Sequence, residues 1–232
     1  MMRQIVLDTE TTGIDISSGN RVIEIGCIEV INRKITGNHY HQYINPQREI
    51  EEGAFKVHGL STEFLSGYPL FSAIVDEFVE FIAGAELIIH NAPFDVGFLN
   101  HEFSLLKGGH KDIDHICQVV DTLYLAKNKH PGQRNSLDAL CKRYDIDNSN
   151  RSLHGALLDS ELLAEVYLRM TGGQTGLLLE VEQVNSFSSN LSDTNDTSSL
   201  NFKIQKANEI EQKRHEEYLD FLNQSSDSGH FF

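Results

Sequence analysis

Residues 3–13 read RQIVLDTETTG, an apolar run that ends in two carboxylates separated by one residue. Gln4-Ile5-Val6-Leu7 has the composition of a strand carrying acids at its end. Alternate strand residues share a face, so Asp8 and Glu10 point at one target. Thr9, Thr11, Thr12 and Gly13 then lead out of the strand through small polar residues, and the glycine leaves room for a ligand to approach the backbone. A calcium-loop reading would place Asp8, Glu10, Thr12 and Gly13 at loop positions one, three, five and six. It fails because position twelve is Gly19 where a bidentate Glu belongs, and because an apolar strand stands where a helix should precede the loop.

Two further motifs supply matching chemistry. Glu86-Leu87-Ile88-Ile89-His90 reads as a short buried strand, and Asn91-Ala92-Pro93 as a turn into a helix continuing to about Leu106. Asp95 then lies in the first helical turn, where an acid taken alone answers the helix dipole. In the third motif, His154 and Asp159 are five residues apart, which turns a regular helix by about 500° and puts them on different faces. His154 is therefore expected on a mobile loop just before the helix, with Gly155 at the bend. Leu157, Leu158, Leu162, Leu163, Val166 and Tyr167 supply helical spacing over Ala156–Met170. Asp159 projects from this helix towards the other acids.

Four carboxylates and an imidazole fit hydrolysis of a phosphodiester. Hard cations such as Mg²⁺ or Mn²⁺ take oxygen ligands rather than thiolates. Two of them roughly 3.5–4 Å apart can activate a water, bridge the scissile phosphate and stabilise the departing oxygen. An imidazole, with a reference pKa of about 6.5, suits a general base near neutrality.

The motifs IVLDTETTG, RVIEIG, VHGL, ELIIHNAPFD, EFSLLK, RNSLDALC and NSNRSLHGALLD follow one another almost continuously from Arg3 to about Gly173. In that order they resemble the DEDDh exonuclease family, and within it the proofreading subunits of bacterial DNA polymerase III. The five-residue step from His154 to Asp159 resembles the His-type branch, since the Tyr-type branch has a shorter one. The resemblance implies a ribonuclease H-like fold and 3′-to-5′ hydrolysis of DNA ends. It implies that Asp8, Glu10 and Asp159 bind two divalent ions, Mg²⁺ or Mn²⁺, that Asp95 supports the second ion, and that His154 is the base. It also implies that His58 lies beside the terminal nucleotide, so that Asp8, Glu10, His58 and Asp159 line the substrate site. The chain departs from the family pattern at Gly53, where a Glu is expected five residues before that His; Glu51 and Glu52 stand just upstream.

The remaining residues of this region read as packing. Val22–Ile31 and Ile35–Ile44 are extended runs. Leu70, Phe71, Ile74, Val75, Phe78, Phe81 and Ile82 form a helical core stripe. Asp121-Thr122 and Asn135-Ser136 read as helix N-caps, which excludes Asp121 and Asp138 from the site. Strands joined by helices give an α/β domain with a mixed sheet flanked by helices over residues 1–173. Cys27, Cys117 and Cys141 have no ligand spacing and read as reduced core residues of a cytoplasmic protein. No apolar run approaches the ~20 residues of a membrane span, and no secretion signal is read at the N-terminus.

The net charge of −15 is unusual for a protein that holds phosphates, and residues 180–232 account for −6 of it. Bound metals offset part of the charge at the site, and a partner can deliver the DNA. After Thr171-Gly172-Gly173 the composition changes. Gln174–Leu179 resembles a Gln-x-x-Leu-x-Leu peptide that docks on sliding clamps, although a helix end followed by an apolar connector reads equally simply. Residues 180–201 are rich in Ser, Asn, Asp and Thr and read as a flexible linker. Residues 202–232 regain apolar groups, including Ile204, Ile210, Tyr218, Phe221 and Leu222. The resemblance names the polymerase alpha subunit as partner of this flexible C-terminal tail, and the small theta subunit as a further partner in lineages that possess it. A free-standing nuclease on short RNA or DNA, and a scaffold joining polymerase to clamp, are the competing readings.

Overall fold

The computed structural model describes residues 2–106, 111–172 and 212–215. The candidate clamp motif 174–179, the linker 180–201 and, apart from the helical run 212–215, the tail 202–232 lie outside the described residues. The elements below belong to one unit, Met1–Thr175.

The chain begins with three strands, β1 (Arg3–Thr11), β2 (Val22–Ile31) and β3 (Lys34–Tyr43). Helices α1 (Glu52–His58), α2 (Thr62–Leu65) and α3 (Phe71–Ile82) lead to β4 (Glu86–Ile89) and α4 (Ala92–Ser104). Then follow α5 (Ile113–Ile116), β5 (Gln118–Asp121), α6 (Thr122–Lys129), α7 (Leu137–Arg143) and α8 (Ala156–Thr171). The sheet order is β3-β2-β1-β4-β5, with β2 antiparallel to β1 and β3, and β4 parallel to both β1 and β5. This is the mixed, helix-flanked sheet expected from the sequence.

β1 lies in the middle because Ile5, Val6 and Leu7 are apolar on both faces, and all three are fully buried. Each contributes roughly 1.5–3 kcal/mol relative to an exposed side chain. Ile5 and Leu7 join a core with Phe71, Phe78, Phe98 and Phe103 of α3 and α4, whereas Val6 joins Ile88, Leu140, Leu163 and Val166 on the opposite face. The period of two therefore aims Asp8 and Glu10 at the α7–α8 side and Thr9 at the α4 side.

Two expectations change. The apolar run Gln4–Leu7 is only the first half of β1, which continues to Thr11 with Asp8 paired to Gly26 and Glu10 to Glu24. Apolar composition reports burial, whereas the ladder with β2 extends as long as backbone partners exist. The structure also adds the four-residue strand β5, since so short a segment carries almost no periodic signal in sequence.

Two contacts fix the helices that carry site residues. Gly26 lets α8 approach β2: a Cβ there would lie 2.2 Å from the Ala156 carbonyl carbon, and Ser160 Oγ donates to the Gly26 carbonyl at 2.9 Å. Glu102 of α4, only 1% exposed, accepts from Arg21 Nε and Nη2 at 2.7 and 2.6 Å and from the Val22 amide at 3.1 Å. That paired, fully bonded carboxylate ties α4 to the start of β2.

Candidate active site

A cavity of about 570 Å³ opens at the end of β1, and Asp8, Glu10, Asp95, His154 and Asp159 all line it. Sequence positions from 8 to 159 thus meet in one place. Asp8 and Glu10 come from adjacent same-face positions of β1. Asp95 sits in the first turn of α4, and Asp159 in the first turn of α8. Glu10, Asp95 and Asp159 are 8%, 3% and 3% exposed, so three carboxylates are taken out of water together.

That burial dominates their ionisation. Glu10 is pushed up to about 8, first by desolvation and then by repulsion from Glu24, Asp159 and Asp95. Asp8 is raised well above the carboxylate range by burial and by Asp95, Glu10 and Asp159. Asp95 is also raised by burial, although Thr9 opposes the shift by donating to Oδ1 from its hydroxyl at 2.7 Å and its amide at 3.1 Å. Burial would raise Asp159 too, but hydrogen bonds from Arg151 overcome it and hold this carboxyl low. A cluster of buried, mutually repelling carboxylates that lack a matching number of cations is what a divalent cation relieves.

His154 precedes α8, as the five-residue spacing required. Gly155 is the extended residue before the helix, with φ −154° and ψ 129°. The imidazole is 43% exposed, and its Nδ1 lies 3.3 Å from Asp159 Oδ2. The His154 amide donates to the Val57 carbonyl at 3.0 Å, which ties the loop to α1. Glu10, His154 and Asp159 each offer a ligand atom within 4.8 Å of the others, so the donors suit both a cation and a nearby base.

His58 stands differently from the other five residues. It is 4% exposed, does not line the cavity, and its Nε2 has no hydrogen-bond partner, while Nδ1 accepts from the Leu60 amide at 3.0 Å. Gly53 is exposed with open space beside it. Of the upstream acids, Glu52 pairs with Lys56 at 2.6 Å on the surface, and Glu51 accepts from Asn20 Nδ2 at 2.7 Å.

Sequence reasoning missed Arg151 and Thr9, and it excluded Asp138, all of which line the cavity. Ser136 caps α7, as read from the sequence, by accepting from the Ala139 amide. Asp138 is free to turn to the rim, where Arg151 Nη1 donates to it at 2.8 Å. An isolated Arg in a polar loop carries no periodic signal. The hint was its position three residues before His154. Asp121 does cap α6, accepting from the Leu123 and Tyr124 amides.

Comparison with known proteins agrees with this geometry. A family model described as Exonuclease matches residues 5–167. The DNA polymerase III subunit epsilon of Escherichia coli is 55% identical over 184 residues, covering 78% of this chain and 76% of that protein. The corresponding subunit of Rickettsia typhi is 47% identical over 220 residues, covering 94% of this chain and 96% of the relative. Among solved structures, the nuclease domain of 3′hExo, a DEDDh family member, bound to rAMP, has a TM-score of 0.62 at 18% identity, covering 72% of this chain and 90% of that one. Exonuclease X in complex with 5′ overhanging duplex DNA has a TM-score of 0.57 at 22% identity, covering 73% and 91%. These two show the shared ribonuclease H-like fold. With motifs, fold and relatives in agreement, the chain belongs to the DEDDh exonuclease family, in its DNA polymerase III epsilon branch.

Proposed function

We propose that this chain is the proofreading 3′-to-5′ exonuclease of a bacterial DNA polymerase III, removing mispaired 3′-terminal nucleotides of DNA as 5′-monophosphates. Exonucleases of its family are typically metal-dependent. The observation that carries the reading is the convergence of Asp8, Glu10, Asp95, Asp159 and the half-exposed His154 on one cavity, with Arg151 the single Lys or Arg among its lining residues.

The donors fit hard divalent ions, because they are carboxylate oxygens that burial, joined for Asp8 and Glu10 by mutual repulsion, pushes towards protonation. Asp8, Glu10 and Asp159 would hold two ions, Mg²⁺ or Mn²⁺, and Asp95 would support the second. When bound, the ions supply charge stabilisation to the phosphate and a more acidic water. Thr9 keeps Asp95 oriented through its two bonds. His154, at the mouth, takes the proton from the attacking water and returns it to solvent, which its exposure permits. His58, whose Nδ1 accepts from the Leu60 amide, would offer its buried Nε2 as a donor to the terminal nucleotide once the segment around α1 adjusts.

The domain plan follows the sequence: an exonuclease domain at 1–173, a clamp-docking peptide at Gln174–Leu179, a linker at 180–201 and an alpha-binding tail at 202–232. The small theta subunit is a further candidate partner, and the setting is the cytoplasmic replisome. No helix among the described residues is long and apolar enough to cross a membrane.

The test is release of the terminal nucleotide from 3′-mismatched and 3′-matched primers with Mg²⁺, alone and with the alpha subunit. Mismatch-favouring release that is lost in Asp8→Ala and His154→Ala supports the reading. An inactive wild-type chain in the presence of alpha would leave the scaffold reading.

A further inference from the structure

The mechanism above uses four carboxylates and an imidazole and leaves out the cation among them. The Arg151 side chain is only 7% exposed. Its Nε donates to Asp159 Oδ1 at 2.5 Å and its Nη2 to Asp159 Oδ2 at 2.6 Å, a bidentate grip on the carboxylate. Nη1 donates to Asp138 Oδ1 at 2.8 Å, and Nη2 lies 3.0 Å from His154 Nδ1. One planar group therefore connects α7 through Asp138, α8 through Asp159, and the loop that carries His154.

We propose that Arg151 is a positioning residue for the divalent-cation site, anchored from behind by Asp138. It sets the Asp159 carboxylate and the His154 ring relative to the acids of β1. The inference rests on the function proposed above and deepens it.

Three observations carry it. The guanidinium has a carboxylate, a second carboxylate and a ring nitrogen as partners, so its rigid fork is engaged on every side and its plane is determined. An ionised carboxylate has about four acceptor positions, and two bonds from Arg151 leave Asp159 the capacity to bind a cation on its other lone pairs. Asp159 is also the site carboxylate that most needs orienting from outside the sheet. Asp8 and Glu10 are held by strand register on β1, and Asp95 is held by Thr9. Asp159 has Arg151 instead. Carboxylates that ligate metals depend on such outer partners, and loss of one costs roughly 10–100-fold in metal affinity or activity.

The experiment uses the full-length chain with Arg151→Gln, Arg151→Lys, Asp138→Asn and the Arg151→Gln/Asp138→Asn double variant. Mn²⁺ binding without DNA is followed by calorimetry and by electron paramagnetic resonance, and kcat and KM are then measured on a 3′-mismatched primer. Positioning predicts Mn²⁺ affinity about 10–100-fold weaker in Arg151→Gln, with kcat reduced and KM for DNA unchanged. Arg151→Lys keeps the charge without the fork and should fall between Arg151→Gln and wild type. Asp138→Asn should shift the same way by a smaller factor, and the double variant should bind no more weakly than Arg151→Gln alone. Asp138 is 59% exposed, so its substitution carries the test if Arg151→Gln does not fold.

Mn²⁺ affinity in Arg151→Gln equal to or tighter than wild type would overturn the proposal, the tighter result making Arg151 a competitor for Asp159. Unchanged Mn²⁺ affinity with a raised KM would overturn it in favour of a phosphate contact. Failure of the wild-type chain to bind Mn²⁺ would strike the functional reading itself, which is a separate outcome.

Discussion

The acids of β1 and the segment from Arg151 to Asp159 face each other across one cavity and are built in opposite ways. Asp8 and Glu10 stand in a strand paired on one side to β2 along its length and on the other to β4 through Gln4, Ile5 and Val6. Their positions follow from register, and a strand buried on both faces can hardly shift. His154 stands on a loop, 43% exposed, held by one backbone bond to Val57 and by its neighbours Arg151 and Asp159. Charges proposed to sit at fixed distances are placed on the rigid scaffold, whereas the group proposed to exchange protons with solvent stands on an exposed loop.

The sharpest break of this comparison is on the rigid side. Asp8→Ala should lower the rate by about 10³-fold or more, because charge stabilisation worth several kcal/mol depends on that ligand. Single-turnover nucleotide release measures it, and near-normal Mg²⁺-dependent activity would mean that Asp8 is no ligand. On the loop side, His154→Ala should lower kcat by about 10²–10⁴-fold, the range for a lost general base, while Mn²⁺ affinity changes little. A parallel loss of Mn²⁺ binding would show that His154 ligates, as its closeness to Glu10 and Asp159 would allow.

Gly26→Ala tests how far the two sides depend on contact with each other. The added methyl would overlap the Ala156–Leu157 backbone at 2.2–2.3 Å, so α8 must retreat from β2. Urea unfolding should show a loss of about 3 kcal/mol, with activity falling because Asp159 moves away from β1. Unchanged stability would mean that α8 is free to adjust, and the rigid side would end at β2.

Ionisation provides a milder test. Glu10 takes up its proton more readily in the fold, at about 8, than in the unfolded chain, at 4.5. The folded state therefore binds more protons between these values, so in chelator its stability should be greatest near pH 4.5 and decline as pH rises towards 8. Asp159, held low by Arg151, contributes with the opposite sign and at lower pH. Added Mn²⁺ at about 100 times its Kd should restore roughly 2.7 kcal/mol, and at a fixed concentration should raise Tm more at pH 8 than at pH 5. A larger rise at pH 5 would contradict the assignment of raised carboxyls as ligands. The smallest effect is expected away from the cavity: Ser61→Ala removes the α2 cap and should cost about 1 kcal/mol in thermal unfolding with the Mn²⁺ affinity intact.

Much of this site was legible in the primary structure because each motif carries its own local geometry. The alternation in VLDTE places Asp8 and Glu10 on one face, and the step from His154 to Asp159 puts the histidine outside the helix. Asp95 was harder, since an acid in a first helical turn is common for reasons unrelated to catalysis, and its company with the other acids supplied the argument. Arg151 and Asp138 were not legible: neither has a periodic neighbour, and although Ser136 caps α7 as read, that cap says nothing of Asp138, which turns to the cavity rim and accepts from Arg151. Strand β5 escaped for the same reason of shortness.

The amino-acid sequence by itself determined strands β1 to β4 and the longer helices, the acids and histidine available for catalysis, and the faces on which each motif presents them, because strand and helix periods are local properties of the backbone. Only the tertiary structure decided that α8 lies against Gly26, that Thr9 holds Asp95, and that Arg151 grips Asp159 and Asp138 at once. Those arrangements join residues up to 134 positions apart through close packing and charge-assisted bonds, and such contacts exist only after the sheet has brought the segments together.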